Sequence, residues 1–248
     1  MKGGRRIMAS HSIVAMSSAA EMETWIERQN LLKEKLITED DFPWRLKLLG
    51  EEMSGDPELQ LRFVGGVDVS YPKGDERSGA CATLVVIDLL SLEVVYADCC
   101  FGTPSVPYVP GFLAFREAPI LLELLQNMKD NGSRYYPQLL MVDGNGLLHP
   151  RGFGLACHIG VLADLPTIGI GKNLHQVDGL SKQNVLQLLQ DEVNNGKDFL
   201  ALQGESGFTW GNEIVREHEE PNFYISWASY FSRNFHQNCQ NDMQVSHS

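Results

Sequence analysis

The sequence predicts an α/β fold, a mixed sheet with helices packed on it. Three observations carry this. Three strand-like segments separated by turns run from Phe63 to Phe101, the pattern of an antiparallel meander. After them, helical and strand-like patterns alternate along the chain, which adds further strands with helices between. Finally, the short apolar run Leu139-Leu140-Met141-Val142 ends in Asp143 and is followed at once by Gly144-Asn145-Gly146. A run of that length reads as a buried strand, and open α/β sheets place ligand sites at the carboxyl ends of their strands.

The chain of 248 residues is long enough for one large core. No apolar run approaches the ~18 residues of a membrane span, so no membrane role is expected. Five cysteines, odd in number and without a CxxC, argue for a reducing compartment and against a disulfide framework or structural zinc. A formal net charge of −12 counts against binding nucleic acid by bulk attraction. It admits a nuclease only where basic groups are local and a metal cation supplies positive charge.

Residues 1–20 carry Lys2, Arg5 and Arg6, have no acid before Glu21 and are rich in Ser, Ala and Met. That composition is shared by organelle transit peptides, but the helical periodicity is weak, and a disordered extension is expected. There is no secretory h-region. Trp25, Leu32 and Leu36 suggest a surface helix over 21–36, and the polar, proline-containing stretch 38–57 a connecting arm. The main domain is expected over 21–207. Phe63-Val64-Gly65-Gly66-Val67-Asp68-Val69-Ser70 is its first strand, ended by the turn Tyr71-Pro72-Lys73-Gly74-Asp75. Ala80–Leu90 and Glu93–Phe101 are the next two. The segment 103–111 holds three prolines and is irregular. A helix follows, with Pro119 in its first turn, Glu117 at its start, and Leu121, Leu122, Leu124 and Leu125 as its buried face. Beyond the Asp143 strand come a helix over 153–165, a short strand 166–171 with Lys172 at its end, a helix over 185–193 and a small strand 199–202 turned by Gly204-Glu205-Ser206-Gly207.

The chemistry lies in the carboxylates. Asp68 sits within one strand, Asp143 ends another, and Glu117 opens a helix. Each acid alone is a cap or a surface group. Three converging on rigid elements need a cation, or one must take a proton. Oxygen-only ligands select Mg2+ or Mn2+, and Mg2+ so held usually serves phosphoryl chemistry. Lys172 could offset charge on a phosphate, or it is simply solvated. It does not belong to a phosphate loop, because GxxxxGK[ST] is absent and Asn173 stands in the Ser/Thr position. The loop His149-Pro150-Arg151-Gly152-Phe153-Gly154 offers two side chains to a base or phosphate. His158 reads as a core histidine and His175 as a surface one. In Pro107-Tyr108-Val109-Pro110 a stiff loop presents a ring that could stack on or wedge between bases, or pack as an ordinary turn tyrosine.

These residues together resemble the endonuclease V family. The resemblance runs from about Phe63 to Gly207. It rests on Gly66-Val67-Asp68-Val69-Ser70, on Pro107 through Glu117, on Val142-Asp143-Gly144-Asn145-Gly146 with His149 through Gly154, and on Gly171-Lys172. It implies a ribonuclease H-like fold and Mg2+-dependent hydrolysis of the second phosphodiester 3′ to inosine, with Mn2+ able to replace Mg2+. By that resemblance Asp68 and Asp143 are metal ligands and Glu117 a ligand directly or through water, with Lys172 the site lysine. Tyr108 is the wedge within the loop Pro107, Tyr108, Val109, Pro110. Gly111, Leu113, Gly144, His149, Gly154 and Leu155 line a hypoxanthine pocket. The Ala-Phe-Arg-Glu and Phe-Gly-Leu-Ala-Cys-His segments are of the animal type. This implies inosine-containing single-stranded RNA as substrate, deoxyinosine-containing DNA as a second one, and residence in cytoplasm and nucleus or nucleolus.

The resemblance stops after Gly207. The family's Gly-His-Arg element does not follow, and His218, His236 and His247 stand in other contexts. Residues 208–248 are therefore expected to form a divergent tail that packs poorly. Two function classes follow: an active inosine-directed endonuclease, or a catalytically weak form that binds inosine-containing strands. A ribonuclease H-like nuclease without inosine preference is a third.

Overall fold

The computed structural model describes residues 20–39, 42–45, 59–73, 79–194, 199–214 and 224–228. The expected extension, most of the arm over 38–57 and the tail residues 215–223 and 229–248, with all three tail histidines, lie outside these. The chain divides into two compact units, Met1–Lys35 and Leu36–Ser248. The first unit holds helix α1 over residues 20–33.

The second unit is built on one eight-stranded sheet in the order β3-β2-β1-β4-β5-β8-β7-β6. Strands β1 (Phe63–Ser70), β2 (Ala80–Asp88) and β3 (Glu93–Gly102) form the antiparallel meander. β4 (Leu139–Asp143) pairs parallel with β1, and β5 (Thr167–Gly171) pairs parallel with β4. The remaining strands, β6 (Phe199–Gln203), β7 (Thr209–Ile214) and β8 (Tyr224–Ala228), are antiparallel.

The alternation of β2 explains its place. Ala80, Ala82, Leu84 and Val86 are buried, while Cys81, Thr83 and Val85 between them are only half-buried. Helix α2 (Leu113–Asp130) packs against β1, β2 and β3 through Leu121, Leu124, Leu125 and Met128. Helix α3 (Leu155–Ala163) packs on β4, β5 and α2. It ends where Asp164 takes a left-handed backbone at φ 53°, two residues before Pro166. A second core forms where Val185 and Leu189 of α4 (Lys182–Asn194) meet Leu148, Leu200 and Leu202. No helix among the described residues is long and apolar enough to cross a membrane.

Two expectations need correction. α2 begins at Leu113, six residues before Pro119, so the proline is interior and Glu117 lies in the second turn. An interior proline costs a helix one N–H bond; here the buried face on the sheet holds the helix through it. The second correction concerns the segment after Gly207. Described parts of it are regular: β7 pairs with β6, and β8 inserts between β7 and β5, with Gly171 opposite Tyr224. The aromatic and β-branched residues of these stretches lack a clean period, yet β5 offers an edge whose backbone groups need partners, and β8 supplies them.

Candidate active site

The parallel register brings the acids together. Val67 stands opposite Val142, so the next residue on each strand is Asp68 and Asp143. The Asp68 carboxyl accepts a hydrogen bond from the Val69 amide at 2.8 Å and feels the charge of Asp143 beside it. Partial burial, then the charge of Asp143, pushes the Asp68 pKa upward. Lys172, one residue beyond β5, donates to Asp143 Oδ2 at 2.6 Å. That ion pair raises the lysine's pKa, and its charge also favours the ionised form of Asp68.

Glu117 is 7% exposed. Burial pushes its pKa up to about 7, against a hydrogen bond from Tyr71 that lowers it and the nearby charges of Asp68 and Asp143 that raise it further. Tyr71 Oη donates to Glu117 Oε1 at 3.1 Å and accepts from Arg116 Nε at 3.1 Å. The Arg116 guanidinium lies 4.5 Å from the Tyr71 ring centroid and reaches the Val106 carbonyl at 3.3 Å. A chain of contacts thus runs from the proline-rich loop through Arg116 and Tyr71 to the buried acid. Sequence reading treats Tyr71 as part of a turn and gives Arg116 no role. The available signal is Arg116 standing directly before Glu117 on a buried helix face, where a charge needs partners.

The two halves of the expected base pocket come from separate segments. Tyr108 is 57% exposed on the proline-rich loop. Gly111, at φ +82°, turns that loop into Phe112, the residue before α2, and Leu113 opens the helix. On the other side, Gly144 has φ +152°, and a Cβ there would lie 3.0 Å from Leu155 Cδ2. The Gly154 amide donates to Gly146 O at 2.9 Å and the Ala156 amide to Asn145 O at 3.1 Å, fastening the start of α3 under the loop after β4. His149 is buried, accepts from the Arg151 amide on Nδ1 at 3.2 Å and meets His175 edge-on, with ring centroids 5.7 Å apart. His175 is half-buried, not a surface residue, and burial lowers its pKa. The halves are tied by Arg151 over the Phe112 ring at 5.9 Å and by Phe115 against His158 at 5.2 Å. His158 is a core residue, as its apolar setting predicts.

The glycines of β5 gain a concrete reason. A Cβ on Gly169 would lie 2.5 Å from Gly146 N and 2.6 Å from Gly144 O, and one on Gly171 would lie 2.9 Å from Asn145 Cγ. Both positions are bare so that the loop carrying Gly144 can lie against β5. They have nothing to do with a phosphate loop.

A divalent cation fits the donors. Asp68 and Asp143 are hard oxygen ligands whose charges oppose each other, which a cation relieves. Among the described residues, no three His, Cys, Asp or Glu side chains form a group able to hold a metal by themselves. A closed three-carboxylate cage is therefore not present. Mg2+ is commonly held by one or two carboxylates, with water and substrate phosphate completing its shell.

The endonuclease V family model matches residues 48–235, past the Gly207 at which the motif resemblance ends. Human endonuclease V is 43% identical over 212 residues, covering 83% of this chain and 70% of the human protein. Mouse endonuclease V is 39% identical over 219 residues, covering 88% of this chain and 62% of the mouse protein. The crystal structure of the human catalytic domain superposes with a TM-score of 0.73 at 40% identity, covering 87% of this chain and 84% of that one. Ciona intestinalis endonuclease V, solved with a 24mer DNA containing an inosine followed by a ribo-adenosine, gives 0.74 at 27% identity, covering 90% and 88%. The fold is thus the ribonuclease H-like mixed sheet flanked by helices, with β3-β2-β1-β4-β5 as its core. With the family model spanning most of its length and a human relative matched over more than two thirds of that protein, the chain belongs to the endonuclease V family.

Proposed function

We propose that this chain is a divalent-metal-dependent endonuclease that hydrolyses the second phosphodiester 3′ to inosine, in single-stranded RNA and also in deoxyinosine-containing DNA. The observation that carries the reading is the register of Val67 with Val142, which sets Asp68 and Asp143 next on adjacent strands, with Glu117 close enough to feel both charges. Family membership and the inosine-containing strand bound by the Ciona relative support the substrate class.

Asp68 and Asp143 would hold the Mg2+ or Mn2+, with Glu117 acting through water because Tyr71 already bonds its carboxyl. When bound, such a cation supplies Lewis-acid polarisation of a phosphodiester and a water of lowered pKa. Glu117, with a pKa near 7, can hold or release a proton at neutral pH. The Lys172 side chain is 61% exposed, so it can turn from Asp143 toward an arriving phosphate and offset its charge. Tyr108 would fill the gap in the base stack while Gly144, Gly154, Leu155, Gly111, Leu113 and His149 take the base, largely through backbone groups. Cytoplasm and nucleolus are the proposed compartments.

One observation favours the alternative, a weak or inactive form that binds inosine-containing strands. β8 ends in Ser226-Trp227-Ala228, and no Gly-His-Arg follows. Cleavage and binding measured on the same single-inosine RNA, with a guanosine control, with Mg2+ and with EDTA, separate the readings. Metal-dependent cutting of the inosine strand alone is expected. Tight binding without cutting selects the alternative, and equal cutting of the guanosine strand rejects inosine specificity.

A further inference from the structure

Ser70, Cys81 and Phe101 stand opposite one another on three adjacent strands. Directly paired residues point to one face of a sheet, and residues two apart on a strand share that face. This row therefore lies on the same face as Asp68, two residues further along toward the carboxyl end of β1. Gly102, the next residue, turns to the opposite face, where a Cβ would lie 2.9 Å from Ile120 Cδ1 of α2. Phe101 thus points away from α2 and is 82% exposed. With Tyr71, Pro72 and Thr103 the row lines an open cleft of about 520 Å³, within the ~300–1,000 Å³ of small-ligand sites. One wall, Tyr71, is the residue bonded to Glu117. The base pocket lies on the other flank of the acids, at the end of β4 and the start of α3.

Resting on the function proposed above, we propose that this cleft is a second base subsite, in which Phe101 stacks on the nucleotide across the cut from the inosine. A strand seated with its inosine beside Gly144 and Leu155 and its phosphate at Asp68 and Asp143 continues toward β2 and β3, over this cleft. The chain's net charge of −12 leaves little general attraction for a phosphate backbone. Stacking on exposed rings is the contact that does not depend on it, and Phe101 offers such a ring on the face that carries Asp68. Ser70 and Thr103 add hydroxyls at the rim for base edges or sugar.

The test is a base-removal scan. Affinity of the full chain for a single-inosine RNA is read by fluorescence anisotropy, with an abasic site placed in turn at each nucleotide flanking the cut. In the wild type, loss of one base across the cut should weaken binding about tenfold. Phe101→Ala should show the same loss on the intact strand and little further loss from that abasic site, and Phe101→Tyr should restore both. Wild-type affinity in Phe101→Ala, or abasic penalties unchanged by it at every position, overturns the proposal. Equal affinity of the wild type for guanosine and inosine strands would instead reject the inosine reading, and the same scan on the guanosine strand then reads Phe101 by itself.

Discussion

Gly154→Ala tests the idea that the site depends on how closely α3 lies under the loop after β4. The Gly154 backbone is extended, at φ −90° and ψ −165°, so alanine meets no conformational penalty there. The obstacle is space. A Cβ at this position would lie 2.8 Å from the Asn145 carbonyl carbon and 3.0 Å from Gly146 O, with the Asn145 oxygen nearer still. Non-bonded carbons settle at about 3.5–4.0 Å, so the loop must retreat by roughly 1 Å. Neither neighbour is a flexible side-chain end; both are backbone, held by the Gly154–Gly146 and Ala156–Asn145 hydrogen bonds. Overpacking of this kind costs about 1–3 kcal/mol. For a chain of this size, roughly 2 kcal/mol lowers Tm by about 4–8 °C. The retreating loop begins at Gly144, next to Asp143, and a misplacement near 1 Å in a catalytic constellation costs ~10²-fold in rate. Thermal denaturation and cleavage of a single-inosine RNA read the two effects. Gly66→Ala is the control, because nothing lies within 4 Å of a Cβ there. If Gly154→Ala melts and cuts like the wild type, the tight fit of loop to helix does not govern the site.

Asp68→Asn and Asp143→Asn should each abolish metal-dependent cleavage while the protein stays folded, since each removes a charge from a crowded pair; full activity in either, measured with Mg2+, refutes the metal-site assignment. Tyr108→Ala should weaken binding of inosine-containing strands roughly tenfold, the worth of one lost stacking contact, with unchanged circular dichroism; unchanged affinity makes Tyr108 an ordinary turn residue. Tyr71→Phe leaves Glu117 and Arg116 each short of one partner at the buried site, and urea denaturation should show a loss of about 1–3 kcal/mol. Hydrogen bonds from Arg62 hold the Asp88 carboxyl below the usual carboxylate range. Its contribution is therefore present above pH ~4 and lost as pH falls further. Asp88→Asn should destabilise the protein at pH 7, and the gap to wild type should narrow steadily as pH falls below ~4 in parallel denaturation curves.

Much of this molecule is legible in its sequence because local patterns suffice. The meander from Phe63 to Phe101 is visible as three strand-like segments with turns between them, and the Asp143 strand as an apolar run that stops at an acid and glycine. Motif resemblance names the four charged groups of the candidate site, Asp68, Glu117, Asp143 and Lys172, which the fold brings near one another. What local pattern does not contain is register and clearance. Asp68 and Asp143 are neighbours only because β1 and β4 pair in parallel with Val67 opposite Val142, and 75 residues of sequence separate them. Pro119 looks like a helix start, yet burial of Leu121, Leu124 and Leu125 carries α2 through it from Leu113. Gly169 and Gly171 match no ligand loop in sequence and are left there without a reason; only the approach of Gly144, Asn145 and Gly146 shows that they are spaces kept for a neighbouring backbone. The aperiodic stretch Tyr224–Ala228 becomes a strand because β5 presents an edge to pair with. Hydrophobic period and glycine placement are properties of a segment and survive in the string of residues, whereas pairing partners and free space belong to two segments at once and exist only after the chain has folded.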